Sequence, residues 1–497
     1  MKTALINPPF LFPSKKEITF SQCLGLRSLS AYLKANGTPD VRIIDALMLG
    51  FSNVKPYANG YIVGLEIDNI LKEIPKDIEL IGVSAPFSQL ASVVHEIVDR
   101  GKKRFPNAII VMGGVYPSAQ PQLALTSKAD FIVVGEGEEA LRKIVNGHSP
   151  FDIAGIYSRE SMTSEQFPPA PVINDLDILP FPDYSIPSMD KYFIMSQRGK
   201  TGRTASLVTS RGCPFSCEFC SISPISGRKY RPRSAEKVLE EIEFLVDSYG
   251  IKYLDIEDDN FTLQKERTVE ILEGIIRLNE KGAGLTWRTP NGVRIDTLDE
   301  DIIKLIKRSN CSEIVLALEH GDPEMLKIMN KKLDLDVAYN VIKLLVKHEI
   351  PQIGLFVIVG YPGETRTRFN NCLNYLKKIK KLNGNISVWV NITQPYPGTK
   401  LIKRCQAEGI IDKNLGNFLI KKNLMSTTNV VSITTPDFSA KEVLRRREQI
   451  KNIFFPPWKI IVKKLVPYKV INFILAYQSH TRFSTLYVKR KRQQKEL

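Results

Sequence analysis

Short apolar runs alternate with longer stretches of helical period along most of the chain. Residues 3–7 are apolar and too short for a helix, so they predict a strand. Residues 24–36 place Leu26, Leu29 and Leu33 on one helical face, with Gly37 as the stop. Strands are predicted again at 41–44, 80–83, 108–112 and 131–134, with a helix over 88–103 and another after 139. Such alternation over residues 1–150 predicts a doubly wound, Rossmann-like α/β domain whose ligand lies at the carboxyl ends of parallel strands. Those ends carry Asn7-Pro8-Pro9, Ser84-Ala85-Pro86-Phe87, Gly113-Gly114 and Gly135-Glu136-Gly137.

A proline-rich linker is predicted over 151–199, with Pro168-Pro169, Pro180 and Pro182 as its breaks. Alternation resumes over 200–405. Strands are predicted near 206–209, 253–256, 285–288, 314–318, 353–359 and 386–392. A helix over 235–249 gathers Val238, Leu239, Ile242, Leu245 and Val246 on one face. Six strand–helix repeats predict a partial or complete (β/α) barrel of the TIM type, with its site at the carboxyl ends of the strands. The rest, 406–497, reads as helical and basic.

Composition changes this picture little. The 497 residues are 43% hydrophobic, enough for more than one core. Net charge is +16, but residues 441–497 hold 15 Lys and Arg against 3 Asp and Glu, so the first 440 carry only about +4. The tail mixes these charges with Phe454, Phe455, Trp458 and an apolar 470–477, a pattern that suits an anionic membrane surface and equally a helix packed on the barrel with a solvated basic end; nucleic acid is the weaker reading of it. The N-terminus lacks the h-region and cleavage site of a signal peptide, and no run of about 18 apolar residues predicts a membrane span. A cytoplasmic protein is expected, with peripheral membrane contact as one of the two readings of its tail.

Seven cysteines in so long a chain make no disulfide scaffold. Three crowd into Cys213-Pro-Phe-Ser-Cys217-Glu-Phe-Cys220, directly after a predicted strand and the break Arg211-Gly212. A short loop can wrap three thiolates around one face of a [4Fe–4S] cube and leave the fourth iron open to a chelating cosubstrate. Zinc would want a fourth ligand, and none lies near in sequence.

CxxxCxxC after a first barrel strand, with aromatic Phe219 before the third cysteine, resembles the radical S-adenosylmethionine (SAM) superfamily. The resemblance continues through Glu257-Asp258-Asp259-Asn260-Phe261 at the second strand, Glu319-His320-Gly321 at the fourth, Gly360-Tyr361-Pro362-Gly363-Glu364 at the fifth, and Gln394-Pro395-Tyr396-Pro397-Gly398-Thr399 after the sixth. It implies that Cys213, Cys217 and Cys220 hold the cluster. It also implies that Asp258 and Asp259 meet the SAM amino group, Glu319 the ribose, and Gly360 and Pro362 the adenine, with Phe219 nearby. A carboxylate suits an ammonium or hydroxyls, and a glycine turn brings backbone close to a flat base.

Residues 1–150 in turn resemble the cobalamin (B12)-binding domain of a large radical SAM subfamily. The match runs through Asn7, Pro8, Leu24, Ser84, Gly113, Gly114, Tyr116, Gly135 and Glu136, which the resemblance places against the corrin. D-x-H-x-x-G, the motif of domains that bind cobalt through histidine, is missing. His95 reads as a surface or packing histidine.

The resemblance implies a radical SAM enzyme using a [4Fe–4S] cluster, SAM and cobalamin, fed by an electron donor such as flavodoxin or ferredoxin. The activity it favours is methylation of an unactivated carbon in a small-molecule or lipid-like substrate. The alternatives are a radical cyclase or rearrangement enzyme, and a membrane-surface binding protein with a non-catalytic barrel. No side chain is assigned a catalytic proton.

Overall fold

The computed structural model describes residues 1–455 except 21, 59, 187–188, 195–201 and 412–430. Five strands of the first sheet are parallel: β1 (Thr3–Asn7), β2 (Val41–Asp45), β3 (Leu80–Ser84), β4 (Ile109–Gly113) and β5 (Phe131–Val133). An antiparallel edge strand, β6 (Ile156–Tyr157), completes the order β2-β1-β3-β4-β5-β6. The chain leaves β1 toward one edge and returns to its other side at β3. A topological switch point therefore lies between β1 and β3, where the strand ends open a crevice. Helix α1 (Leu24–Ala35) buries Leu26 and Leu33 against this sheet and points its first turn at the crevice.

The second sheet is fully parallel and sequential: β7 (Thr204–Leu207), β8 (Tyr253–Ile256), β9 (Thr286–Val293), β10 (Cys311–Glu319), β11 (Ile353–Val359) and β12 (Ile386–Ile392). Among the described residues β7 and β12 do not pair, so the partial form of the barrel is the one found. Its helices begin where small polar side chains cap them. Ser234 accepts the Lys237 amide ahead of α2 (Ala235–Tyr249), Asp322 the Met325 amide at α3 (Pro323–Ile328), and Thr399 the Ile402 amide at α4 (Lys400–Ala407). Helix α5 (Ala440–Phe454) packs on β12 and β11 and buries Val443, Ile450 and Phe454.

Three features differ from expectation. A small antiparallel sheet of Phe10–Phe12, Val54–Tyr57 and Gly60–Val63 covers the rim of the first domain; its strands are short, half exposed and broken by Pro56, so they carry no clean period. The proline-rich connection is a packed layer rather than a loose spacer. Tyr184, Ile186 and Tyr192 are buried there and join Leu5 and Leu33 to Ala205 and Leu254 in one apolar cluster. The first part of the basic tail, α5, belongs to the barrel. The segment beyond 455, where the aromatic and basic membrane pattern was read, lies outside the described residues. No helix among the described residues is long and apolar enough to cross a membrane.

Candidate active site

A cavity of about 480 Å3 lies where the carboxyl ends of the first sheet face those of the second. Asn7, Leu24, Ser84, Gly113, Gly114, Gly135 and Glu136 line it from one side, and Val208, Arg211, Glu257 and Asp259 from the other. Its size and mixed lining suit a small-molecule or cofactor site. Gly114 and Gly135 take φ of 116° and 94°, a region that strains any side chain. A Cβ built on Gly114 would stand 2.8 Å from the Ala85 carbonyl oxygen. The floor at these strand ends is therefore bare backbone, the surface a flat macrocycle needs.

Two of the nine residues expected along the corrin do not line this cavity. Pro8 is buried outside it. Tyr116 is fully buried, and its hydroxyl lies 2.9 Å from His95 Nε2, so both are packing residues. Asn7 reaches the cavity but spends its amide on Asp45, donating to Oδ1 at 2.8 Å.

Ion pairs join the two domains beside the cavity. Arg231 grips Glu136 with both terminal nitrogens, at 3.0 and 2.5 Å, a bidentate charge-assisted contact. Arg211 donates to Glu138 at 2.7 Å; burial works against the Glu138 carboxylate, yet Arg211 holds it below the usual range. Gln22 donates to the Thr204 carbonyl and accepts the Ser206 amide, fixing the start of α1 to β7.

The cysteine loop leaves β7 through Ser210–Arg211. Burial pushes all three thiols up, Cys220 to about 11. The neighbouring thiols push Cys213 and Cys220 the same way, so these groups sense one another, while Arg294 and Lys331 pull Cys217 down. Among the described residues no three such side chains converge tightly enough for a single ion. The donor set is three half-buried sulfurs with cations beside them, which fits an anionic iron–sulfur cluster better than a lone cation.

At the end of β8 the acidic motif divides its labour. Asp258 is buried, and its carboxylate accepts the Thr209 amide at 2.6 Å and the Thr209 and Ser210 hydroxyls at 2.5 Å each. It holds β7 to β8, which leaves it little capacity for the ammonium expected there. Asp259 faces the cavity and accepts the Gly212 amide at 3.0 Å, one residue before Cys213. Burial pushes its carboxyl up to about 6. Glu257 faces the same cavity; burial, with Asp255 nearby, pushes it up to about 7. Asn260 is 1% exposed, yet neither end of its amide has a protein partner. Buried polar groups are rarely left so, and an orphaned donor and acceptor beside Asp259 fit the amino-acid end of SAM.

Glu319 sits at φ 67° and pairs with Lys331 Nζ at 3.1 Å. Gly360, at φ 72°, gives its amide to Glu364 Oε2 at 2.9 Å, and Pro362 is buried. Glu364 also accepts from His320 Nε2 at 3.1 Å and from Arg446 Nη1 at 2.9 Å. Because His320 Nδ1 accepts the Asp322 amide, the ring proton sits on Nε2. The fourth and fifth strand ends are thus wired together and tied to α5. Phe219 meets Tyr361 edge to face, its ring centroid 6.4 Å away.

The sequence model of the Radical SAM superfamily matches residues 207–376, and that of the B12 binding domain matches 21–145. The chain belongs to the radical SAM superfamily and carries a B12 binding domain. This radical SAM enzyme is 28% identical over 481 residues to an uncharacterized methyltransferase of Pyrococcus horikoshii, covering 94% of this chain and 95% of the relative. It is 26% identical over 386 residues to an anaerobic magnesium-protoporphyrin IX monomethyl ester cyclase of Rubrivivax gelatinosus, covering 76% and 64%. Its fold is that of the radical SAM methyltransferase TsrM of Kitasatospora setae, solved with cobalamin and a [4Fe–4S] cluster bound, with a TM-score of 0.60, 19% identity, and coverage of 81% and 75%. The two models are those of domains named for SAM and for B12.

Reasoning from sequence missed the residues that brace the site. Glu257 opens the motif without an assigned role, which could have been taken from its alternation with Asp259. Arg211, Arg231, Lys331 and Arg446 reach their partners across 12 to 95 residues, and no local pattern marks them.

Proposed function

We propose that this enzyme transfers a methyl group to an unactivated carbon of a small-molecule substrate held in the cavity between its two domains. One observation carries the reading: a single cavity is lined both by the glycine-floored strand ends of the B12 binding domain and by Asp259, whose carboxylate holds the loop of Cys213, Cys217 and Cys220. When bound, the cluster with SAM supplies a hydrogen-abstracting radical and cobalamin supplies the methyl group.

The chain's own part is to bind, orient and exclude water. Cys213, Cys217 and Cys220 would hold the cluster. Asp259 and the free amide of Asn260 would take the amino-acid end of SAM, and Glu319 the ribose. Asn7, Leu24, Ser84, Gly113, Gly114, Gly135 and Glu136 would lie along the corrin. The apolar lining from Leu24, Val83, Val111, Val133 and Val208 keeps water from a reactive radical. The methyltransferase relative favours methylation over cyclisation, since the match spans 95% of its length against 64% of the cyclase. A flavodoxin or ferredoxin as electron donor, a reducing cytoplasmic setting and membrane contact through residues beyond 455 complete the proposal.

Anaerobically reconstituted protein with SAM, reductant, cobalamin and candidate substrates tests it. Methylation yields S-adenosylhomocysteine beside 5′-deoxyadenosine. Turnover giving 5′-deoxyadenosine alone transfers the assignment to a rearrangement. A Cys217→Ala protein that still cleaves SAM at the parent rate refutes the cluster assignment.

A further inference from the structure

Between the second and third cluster cysteines stands Glu218, a charged residue whose polar atoms meet three other parts of the barrel: the end of α3, the Tyr361 turn and α4. Its amide donates to the Met329 carbonyl at 3.0 Å, and its carbonyl accepts the Leu401 amide at 3.0 Å. Of its carboxylate oxygens, Oε2 accepts the Tyr361 hydroxyl at 2.7 Å and Oε1 lies 3.1 Å from Arg404 Nε. Arg404 in turn lies over the Tyr361 ring, 5.5 Å from its centroid, and Phe219 meets that ring from the side. Tyr361 itself is fully buried in the turn Gly360–Gly363. Asn330 reinforces the contact, donating to the Ser216 carbonyl at 2.9 Å and hydroxyl at 2.7 Å.

A loop carrying cluster ligands needs only its cysteines to hold iron. It does not need a carboxylate shared between the fifth-strand turn and the helix after the sixth strand. That sharing links two things that must be in register for SAM to bridge them: the open face of the cluster and the turn expected along adenine. The Tyr361–Glu218 hydrogen bond is charge-assisted, a kind that fixes geometry as well as adding affinity, and Arg404 adds an ion pair beside it.

We infer that Glu218 is a positioning residue that couples the cluster loop to the Tyr361 turn, so that SAM finds cluster and adenine site already aligned. The inference rests on the radical SAM reading and adds a role within it. Glu218 touches no reacting atom; it acts through Tyr361 and Arg404.

The test uses the full chain, reconstituted without oxygen, in four forms: parent, Glu218→Ala, Tyr361→Phe and the double variant. Iron and sulfide content reports cluster assembly. The change in the electron paramagnetic resonance spectrum of the reduced cluster, titrated with SAM, reports its binding. The single variants should keep the parent's iron and sulfide yet bind SAM about tenfold more weakly, the loss expected for one charge-assisted hydrogen bond. The double variant should be no weaker than Glu218→Ala, because both changes remove one link. Tyr361→Phe removes a single oxygen and decides the matter if Glu218→Ala does not fold. Parent-like SAM titrations in the variants, losses that simply add, or loss of iron in Tyr361→Phe would overturn the inference. A parent protein that loads no iron, or whose spectrum ignores SAM, would instead overturn the family reading beneath it.

Discussion

Glu257 offers a quantitative test of the cavity's electrostatics. Its carboxyl faces a half-open, largely apolar cavity, with Asp255 behind it and Asp259 two residues on. Burial raises it from 4.5 to about 7, and Arg288, which is paired with Asp255, offsets this only in part. A carboxyl raised in the folded state is protonated there while the unfolded chain has already released its proton. Its contribution to stability is therefore complete below pH 4.5 and falls as pH rises through 7. The difference of about 2.5 units corresponds to at most about 3 kcal/mol lost between pH 4.5 and pH 8. Glu257→Gln removes the titrating proton while keeping size and hydrogen-bonding atoms. Melting of cofactor-free parent and variant, followed by circular dichroism, should show similar midpoints at pH 4 and a more stable variant at pH 8. A chain of this length turns a few kcal/mol into a shift of several degrees. If the gap between the two proteins is the same at both pH values, Glu257 titrates normally and the burial that raises its carboxyl is refuted.

Three further outcomes are expected. Arg446→Met leaves Glu364 charged and buried, which should cost about 3–5 kcal/mol and lower the melting midpoint, and Glu364→Gln in the same chain should recover part of it. Gly114→Ala forces a side chain to φ 116° and against the Ala85 carbonyl, so the folded protein should retain less cobalamin after gel filtration, measured by its absorbance. Asn260→Leu removes an amide that has no protein partner, so it should stabilise the SAM-free protein by about 1 kcal/mol while weakening SAM binding; weaker stability with unchanged SAM affinity would refute the assigned role.

The strands and the cysteine loop were legible because they are local. A buried parallel strand is a short apolar run, and β11 (Ile353–Val359) and β12 (Ile386–Ile392) have the predicted bounds. Helix α2 (Ala235–Tyr249) announces itself with Ser234 before it and Gly250 after it. The loop glycines of the first domain were legible as breaks between periods, and the structure brings most of them to one cavity. What could not be read is division of labour among neighbours. Asp258 and Asp259 are chemically alike, and only the strand's alternation and the reach of Thr209 and Ser210 decide which one is consumed in bracing. Tyr116 looks like a ligand-facing residue beside Gly113-Gly114, yet the turn of backbone there aims it at His95. The short antiparallel sheet escaped because half-exposed strands of a few residues hold too little pattern.

The bond from Arg446 to Glu364 has a consequence for the order in which the protein matures. The two residues are 82 positions apart, and the chain is synthesised from its N-terminus, so the fifth-strand turn emerges well before its counter-charge. Until then Glu364 has His320 and the Gly360 amide to face but not the Arg446 guanidinium, and Gly360 lacks the Val443 side chain that α5 presses against it. Ribosome-bound nascent chains halted before residue 440 should therefore take up iron on their cysteines but grip SAM poorly, and release of the last helix would act as the final stitch.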